Sequence, residues 1–398
     1  MPFRTLRGLT VAGALLLGAF THASSSTPWI QLSSVQGDLP TPWLGQEQTA
    51  SLIFDIDNDG RNDFVLAGRK YAPSVVWYRQ EGSSWTQYLI EREALPIEAG
   101  GAYADIDADG DLDLVLGEDA TGNRVYWWEN PYPNYAPDTP WPRHLIKASG
   151  ANKHHDQLFG DFDGDGQLEL AFWNQGDRAL FLAEIPPDPS QGEWPRTAIF
   201  RWEGDPSPEG LAQADINGDG VLDLVGGGHW FEYVGNGRFR AHLIDREQVF
   251  GRAAVGQLVP GGPPEVVMLV GDGVGRIRWY ALGAEGWVGH DLLDTPVDHG
   301  HSLALADFDE DGNLDIFVAE MMQWSLGAAV PNNPDARMWI FFGDGQGSFT
   351  PVVLAQGVGN HESKVGDLDG DGRPDLLIKP FHWQAPRVDI WLNRLPSR

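Results

Sequence analysis

Six short stretches of this sequence set carboxylates at one repeated spacing. They are DIDNDGRND from Asp55, DIDADGDLD from Asp105, DFDGDGQLE from Asp161, DINGDGVLD from Asp215, DFDEDGNLD from Asp307 and DLDGDGRPD from Asp367. In the pattern D-x-[DN]-x-D-G-x-x-[DE], positions one, three and five present side-chain oxygens to one centre. The glycine permits a sharp turn, and position nine adds another carboxylate. An all-oxygen set of this kind suits a hard cation, by the logic of the first part of an EF-hand loop. The glutamate at position twelve is missing and strand-like runs flank the loops, so the EF-hand fold itself does not apply.

The candidate metal ligands are Asp55, Asp57, Asp59 and Asp63 in the first loop and Asp105, Asp107, Asp109 and Asp113 in the second. The third holds Asp161, Asp163, Asp165 and Glu169, and the fourth Asp215, Asn217, Asp219 and Asp223. Asp307, Asp309, Asp311 and Asp315 follow, then Asp367, Asp369, Asp371 and Asp375. A single Asp-Gly run is ordinary turn chemistry. Six in register, each closed by an acid, predict about six structural Ca²⁺ sites. A seventh stretch, QLVPGGPPE from Gln257, keeps the final acid and loses the first three carboxylates.

The bulk numbers agree with an exported, metal-stabilised chain. Arg4 and Arg7 precede an apolar run from Leu9 to Phe20 and the small-x-small triplet Thr21-His22-Ala23, which read as a secretory signal peptide over 1–23. No later run is long and apolar enough to span a membrane, so a secreted or periplasmic protein is expected, with mature residues 24–398. There is no cysteine, and calcium is expected to stabilise the fold where exported chains often use disulfides. The formal charge of −30 becomes −32 once the two leader arginines are removed, which argues against nucleic acid and anionic membranes as partners. Seventeen Trp, 18 Phe and 9 Tyr supply too much apolar mass for a disordered acidic chain.

The seven loops recur every 42 to 60 residues. Each stands between short apolar or alternating runs, and a Trp-rich run follows, such as VVWYRQ, VYWWEN or IRWYAL. A fourth run, such as WTQYLI or RAHLID, closes most units. Four strands per unit and seven units predict an all-β, seven-bladed β-propeller. The last unit stops after its third strand, and TPWIQLSS near the start reads as its missing fourth, so the N-terminal strand is expected to complete the last blade. Trp77, Trp127, Trp230, Trp279, Trp339 and Trp391 recur at one blade position and are expected to pack between blades.

On these repeats the chain resembles the FG-GAP/VCBS repeat family, whose blades carry the aspartate loop between their first and second strands. The same blade builds integrin heads, lectins, polysaccharide lyases and sugar dehydratases, so the resemblance implies the fold and leaves function open. The third and fourth strands are most similar to the propeller of aldos-2-ulose dehydratase and related proteins.

With the loops at one end of the strands, a second set of residues falls at the other, around the mouth of the central channel. Six residues before each loop stand Thr49, Ala99, His155, Glu209, Gly251, His301 and His361. His154, Asp156, Asp298, His299 and Glu362 are neighbours. Seven of the ten histidines outside the leader fall here or in the loops between second and third strands. Those loops also supply Arg69, Lys70, Arg124, His229, Trp324, Lys379 and His382. Two readings follow. One is a binding module, expected to be a monomer, that takes a saccharide or extracellular partner on this His/Trp/basic face. The other is a carbohydrate lyase or dehydratase. In it His155, His301, His361 and Glu209 act as base or as ligands of Zn²⁺ or another divalent ion, and Arg69, Lys70 or Lys379 neutralise a uronate. Hydrolysis by paired carboxylates has less support, because acids outside the loops show no obvious pairing. Propeller channels also carry polar residues that only satisfy one another.

Overall fold

The computed structural model describes residues 28–82, 84–325 and 327–397. The expected signal peptide lies outside them. Seven four-stranded antiparallel sheets form the blades of a propeller. Blade 1 runs from its inner strand Gln48–Phe54 through Asp63–Gly68 and Val75–Glu81 to the outer strand Ser84–Glu91. The second strands are the most apolar, because a blade's middle is covered on both faces by its neighbours. Asp63–Gly68 and Glu169–Asn174 are buried at every position. Outer strands such as Phe349–Gln356 are largely exposed.

The ring closes as the sequence predicts. Trp29–Ser33 pairs antiparallel with Asp389–Asn393, in register from Trp29↔Asn393 to Ser33↔Asp389, and becomes the outer strand of blade 7. Clusters of buried side chains fill the spaces between blades. Trp77 packs with Leu114 and Trp128 between blades 1 and 2, and Leu377 and Ile390 pack with Phe64 and Tyr78 between blades 7 and 1. All six recurrent Trp lie in such clusters.

The three histidines away from the channel face have a structural explanation. His144, His242 and His290 stack on Trp127, Trp230 and Trp279, with ring centroids 4.4, 4.2 and 4.3 Å apart. Tyr88 takes the equivalent place against Trp77 at 4.8 Å. A flat ring on the outer strand thus covers the indole of the third strand.

Three inner strands carry a register irregularity at the end opposite the aspartate loop, between Gln48 and Ser51, His155 and Gln157, and Gly300 and Ser302. A bulge adds one unpaired residue and re-aims the side chains beside it. Asp156 and Glu362, both five residues before a loop, hold φ of 46° and 53°. Such left-handed geometry is uncommon for residues with a Cβ and persists only where surrounding contacts enforce it. Blade 4 has Gly210 at the equivalent place, with φ 77°.

Candidate functional site

The aspartate loops connect first and second strands, and their chemistry divides into two jobs. Position one organises the turn. Asp55 accepts the backbone N–H of Asp59 at 3.2 Å and of Gly60 at 2.9 Å, and Gly60 sits at φ 86°, where a side chain would be strained. Position nine ties the loop to the blade. Asp315 accepts N–H groups from Phe308 at 2.8 Å and Gly343 at 2.9 Å, and Asp375 from Leu368 at 2.8 Å and Asn393 at 2.7 Å. In the degenerate blade 5 loop Glu265 still accepts from Leu258 at 2.8 Å and Val259 at 3.1 Å. Blade 5 kept the acid that holds the turn and lost those that face an ion.

Five loops bring three or more ligand oxygens within 4.8 Å of one another. Positions one, three and five do so in the loops starting at Asp55, Asp105, Asp307 and Asp367, and Glu169 joins as a fourth donor in the loop at Asp161. The remaining loop has Asn217 in place of a third acid. The donor set fits a hard divalent cation. Asp57 Oδ1 and Glu169 Oε1 are buried with no hydrogen-bond partner, an arrangement that a cation would relieve. Burial pushes the Asp63 and Asp113 carboxyls up to about 8, with the neighbouring aspartates adding to the effect.

A variant pair separates the two jobs. Glu265→Ala leaves two backbone N–H groups without their acceptor and should cost about 2–4 kcal/mol in urea unfolding, equally with calcium and with chelator. Asp307→Ala should lose most of its effect once calcium is chelated. Equal calcium dependence for both would contradict the assignment.

At the other end of the inner strands, about 20 Å away at 3.3 Å per residue, lies a cavity of about 430 Å³. His155, Glu209, His301 and His361 all line it, as do Arg69 and Trp324. The sequence count therefore brings the first four together, and the loops between second and third strands add Arg69 and Trp324.

Hydrogen bonds define the state of each imidazole. His155 reaches Asp156 through Nδ1 at 2.7 Å and Glu209 through Nε2 at 3.3 Å. Burial opposes its charge, but Glu209 and Asp156 outweigh it and raise His155 to about 9. His301 Nδ1 accepts from Arg252 at 3.0 Å, so its Nε2 carries the proton that points to Asp272 at 2.6 Å. His361 Nδ1 lies 3.1 Å from the Thr49 carbonyl, which can only accept, so the lone pair is on Nε2. Burial, then Lys379 and His301, hold His361 well below the usual histidine range. His301 and His361 stack with centroids 4.9 Å apart, and His299 lies on Trp324 at 3.7 Å.

Beneath this layer Arg252 bridges two strands. It contacts Asp156 at 3.3 Å and Glu362 at 2.8 Å, and Lys364 meets Glu362 at 2.8 Å. Burial would raise Glu362, but Arg252 and Lys364 hold it well below the usual carboxylate range. Opposite, Glu98 and Asp119 share a hydrogen bond and are both held by Arg69, at 2.7 and 2.9 Å. Burial pushes Glu98 up to about 8 against the pull of Arg69, while Asp119 is lowered because its hydrogen bond with Glu98 and Arg69 outweigh its own burial. Acids outside the loops are therefore paired after all, from residues 21 apart that only the fold brings together.

Several expectations are corrected. Lys379 is fully buried under the cavity floor, its ammonium donating to the carbonyls of Gln48, Thr49 and His361 at 3.1, 3.1 and 2.6 Å. His229 bonds the Gly227 carbonyl at 2.8 Å and packs on Phe200, outside the cavity lining. His382 bonds Gln323 at 2.8 Å in a separate depression with Trp383. Lys70 pairs with Glu47 at 2.6 Å. Arg124 lines a neighbouring groove and donates to the Tyr126 hydroxyl at 3.2 Å. The cations expected to neutralise a uronate in the cavity, Arg69, Lys70 and Lys379, are thus already engaged. Nor is a zinc site assembled from the histidines. Among the described residues, three such donors come within 4.8 Å only in aspartate loops, and His155 and His301 have both ring nitrogens hydrogen-bonded.

Arg252, Asp272, Glu98 and Asp119 escape the sequence reading. Counting five residues back from each loop, one fewer than was counted, reaches Asp156, Arg252 and Glu362 together. Asp119 and Asp272 sit in loops between second and third strands, where sequence offers no register.

The titrations oppose one another on the pH axis. His155 is raised, so its stabilisation is complete below pH 6.5 and lost as pH climbs to about 9. Glu98 is raised from 4.5 to about 8, so the folded state holds an extra proton across that window and stability falls as pH rises through it. His154 is lowered to about 3 by burial, so it costs stability as pH falls below 6.5. In saturating calcium the melting temperature should fall from pH 7 to 9, and His155→Gln should flatten the part above pH 8. An unchanged slope there would exclude the imidazolium.

The FG-GAP-like repeat model matches residues 55–116, 105–172, 161–226 and 327–378, which together cover more than half of the chain. No curated protein matches. Among solved structures, the V. cholerae biofilm matrix protein Bap1 is similar with a TM-score of 0.48 and 12% identity, over 88% of this chain and 89% of that one. With its repeats matched in blades 1 to 4 and again across blades 6 and 7, the chain belongs to the FG-GAP-like repeat family.

Proposed function

We propose that this is an exported, calcium-stabilised propeller that binds a saccharide in its central cavity. The observation that carries this reading is the charge balance of the lining. Arg69 is neutralised by Asp119 and hydrogen-bonded to the Glu98 carboxyl, His155 is neutralised by Asp156 and Glu209, and His301 is paired with Asp272. A cavity of about 430 Å³ so rich in compensated donors and acceptors suits an uncharged polyhydroxyl unit, with the edge of Trp324 as apolar contact. The aspartate loops would hold calcium and stabilise the ring, and the leader at 1–23 would direct export.

Affinity electrophoresis against soluble polysaccharides tests this. Glu209→Gln and His301→Phe should each weaken retardation more than tenfold, with melting temperatures in calcium within a few degrees of the parent. Retardation that is indifferent to both variants excludes the cavity.

A second reading is favoured by His361, a neutral imidazole whose Nε2 lone pair belongs to a cavity-lining ring, and by the protonated Glu98 carboxyl. A base and an acid in one cavity are the parts of a dehydratase or lyase. Release of an ultraviolet-absorbing unsaturated sugar, abolished by His361→Ala, supports it. A flat trace across the polymers that bind removes it.

A further inference from the structure

The central cavity has a neighbour. A groove of about 450 Å³ lies alongside, lined among others by Glu118, Asn123, Arg124 and Asn152, and Ala120 borders both spaces. The loop from Glu118 to Arg124 is therefore a low wall between them, and its crest is a single methyl group. Asn152 fixes that crest by donating to the Ala120 carbonyl, and the Lys153 N–H reaches the Gly122 carbonyl at 3.4 Å.

Charge differs sharply between floor and wall. Within the cavity Arg69 is held by the Asp119 carboxylate and the Glu98 carboxyl. Lys153, half-buried on the cavity side of the wall, and Arg124, exposed on the groove side, make no ion pair with any described residue. Arg124 has only the Tyr126 hydroxyl, and Glu118 in the same groove turns one oxygen to the backbone N–H of Arg124. Two cations without an ion pair, each only attracted at longer range by an acid of the wall loop (Asp119 for Lys153, Glu118 for Arg124), flank one wall of a chain whose formal charge is −30. Such a surface repels polyanions in general, so attraction for a negative group must be local.

We propose that the ligand is an acidic saccharide chain, with an uncharged unit in the central cavity and an anionic substituent on the next unit, crossing Ala120, held between Lys153 and Arg124. This rests on the saccharide reading of the cavity and names the class of chain it takes. Two spaces of similar volume, joined over a small residue, fit successive units of a chain better than one isolated sugar. A carboxylate or a sulfate would meet the same two cations.

The experiment uses the whole calcium-loaded protein. The probes are hyaluronan, which alternates uronate and uncharged units, its carboxyl-reduced form, and chondroitin sulfate for the sulfate case. Hyaluronan or chondroitin sulfate should bind more tightly than the carboxyl-reduced polymer. Lys153→Met and Arg124→Met should each weaken the anionic polymer about three- to fivefold and together about tenfold. Lys153→Arg should restore most of the loss, and the reduced polymer should be indifferent to all three. Ala120→Trp should weaken polymer binding and leave the cavity variants' effects on it intact. Binding that depends on Glu209 and His301 but ignores carboxyl reduction and the Lys153 and Arg124 variants overturns this inference and leaves the cavity reading standing. Absence of binding by all three polymers overturns the inference, and indifference of other bound polymers to the cavity variants overturns the reading beneath it.

Discussion

Chelation of calcium lowers the melting temperature by about 20 °C: this is the largest effect expected of the molecule. Six loops that each hold one ion at a hundredfold its dissociation constant contribute about 2.7 kcal/mol apiece, about 16 kcal/mol in all. Unfolding entropy near 2.1 cal/mol/K per residue converts that, for a chain of 398 residues, into about 20 °C. Asp55, Asp57 and Asp59, like Asp307, Asp309 and Asp311, bring three oxygens within 4.8 Å, and without a cation those charges repel. Glu169 adds a fourth oxygen that is buried and without a hydrogen-bond partner. Differential scanning calorimetry in calcium and in EDTA measures the effect, and magnesium should restore little of it, because a near-octahedral ion fits such loops poorly. An unchanged melting temperature in EDTA would remove calcium from the account of stability.

The second large effect belongs to one ammonium at the seam. Lys379 of blade 7 donates to the carbonyls of Gln48 and Thr49 in blade 1 and of His361 in its own blade. Three acceptors match the three N–H bonds of an ammonium, and none of the acceptors has water to fall back on. Gln48 reinforces the junction, accepting from the Arg387 N–H at 2.9 Å and donating to the Arg387 carbonyl at 2.8 Å. Lys379→Met keeps the apolar stem and removes every donor. The Thr49 carbonyl keeps the His361 Nδ1 donor, so two buried carbonyls are left unpaired, and at about 1–3 kcal/mol each the loss should reach about 2–6 kcal/mol in urea unfolding. It should add to the effect of EDTA, since the seam and the loops sit at opposite ends of the strands. A variant as stable as the parent would mean that the N-terminal strand, Trp29–Ser33 on Asp389–Asn393, closes the ring unaided.

Much of this was readable before any coordinates. Apolar runs around a repeated loop led to seven blades, and the orphan strand at Trp29 led to the closure. A fixed offset from each loop put His155, Glu209, His301 and His361 in one cavity. That offset worked because strands have a fixed rise and the loops set a common origin. No such offset reaches Lys379, His229 and His382, which lie beyond the second strand in connections of varied length. There a residue's neighbourhood depends on how the loop folds back, and its sequence distance from the origin carries no such information.

The chain's own sequence determined the architecture and the ion chemistry, because both repeat: each loop repeats the same ligands, and each blade the same four strands. Only the tertiary structure decided charge states at the channel mouth. His155 is an imidazolium because Glu209 comes from the next blade, and His301 is neutral at Nδ1 because Arg252 donates to it. Glu98 keeps its proton because the fold buries it against Asp119. These are pair properties of residues from different blades or, for Glu98 and Asp119, from separate connections of one blade. Electrostatic energy depends on separation and burial in space, and a linear sequence specifies neither.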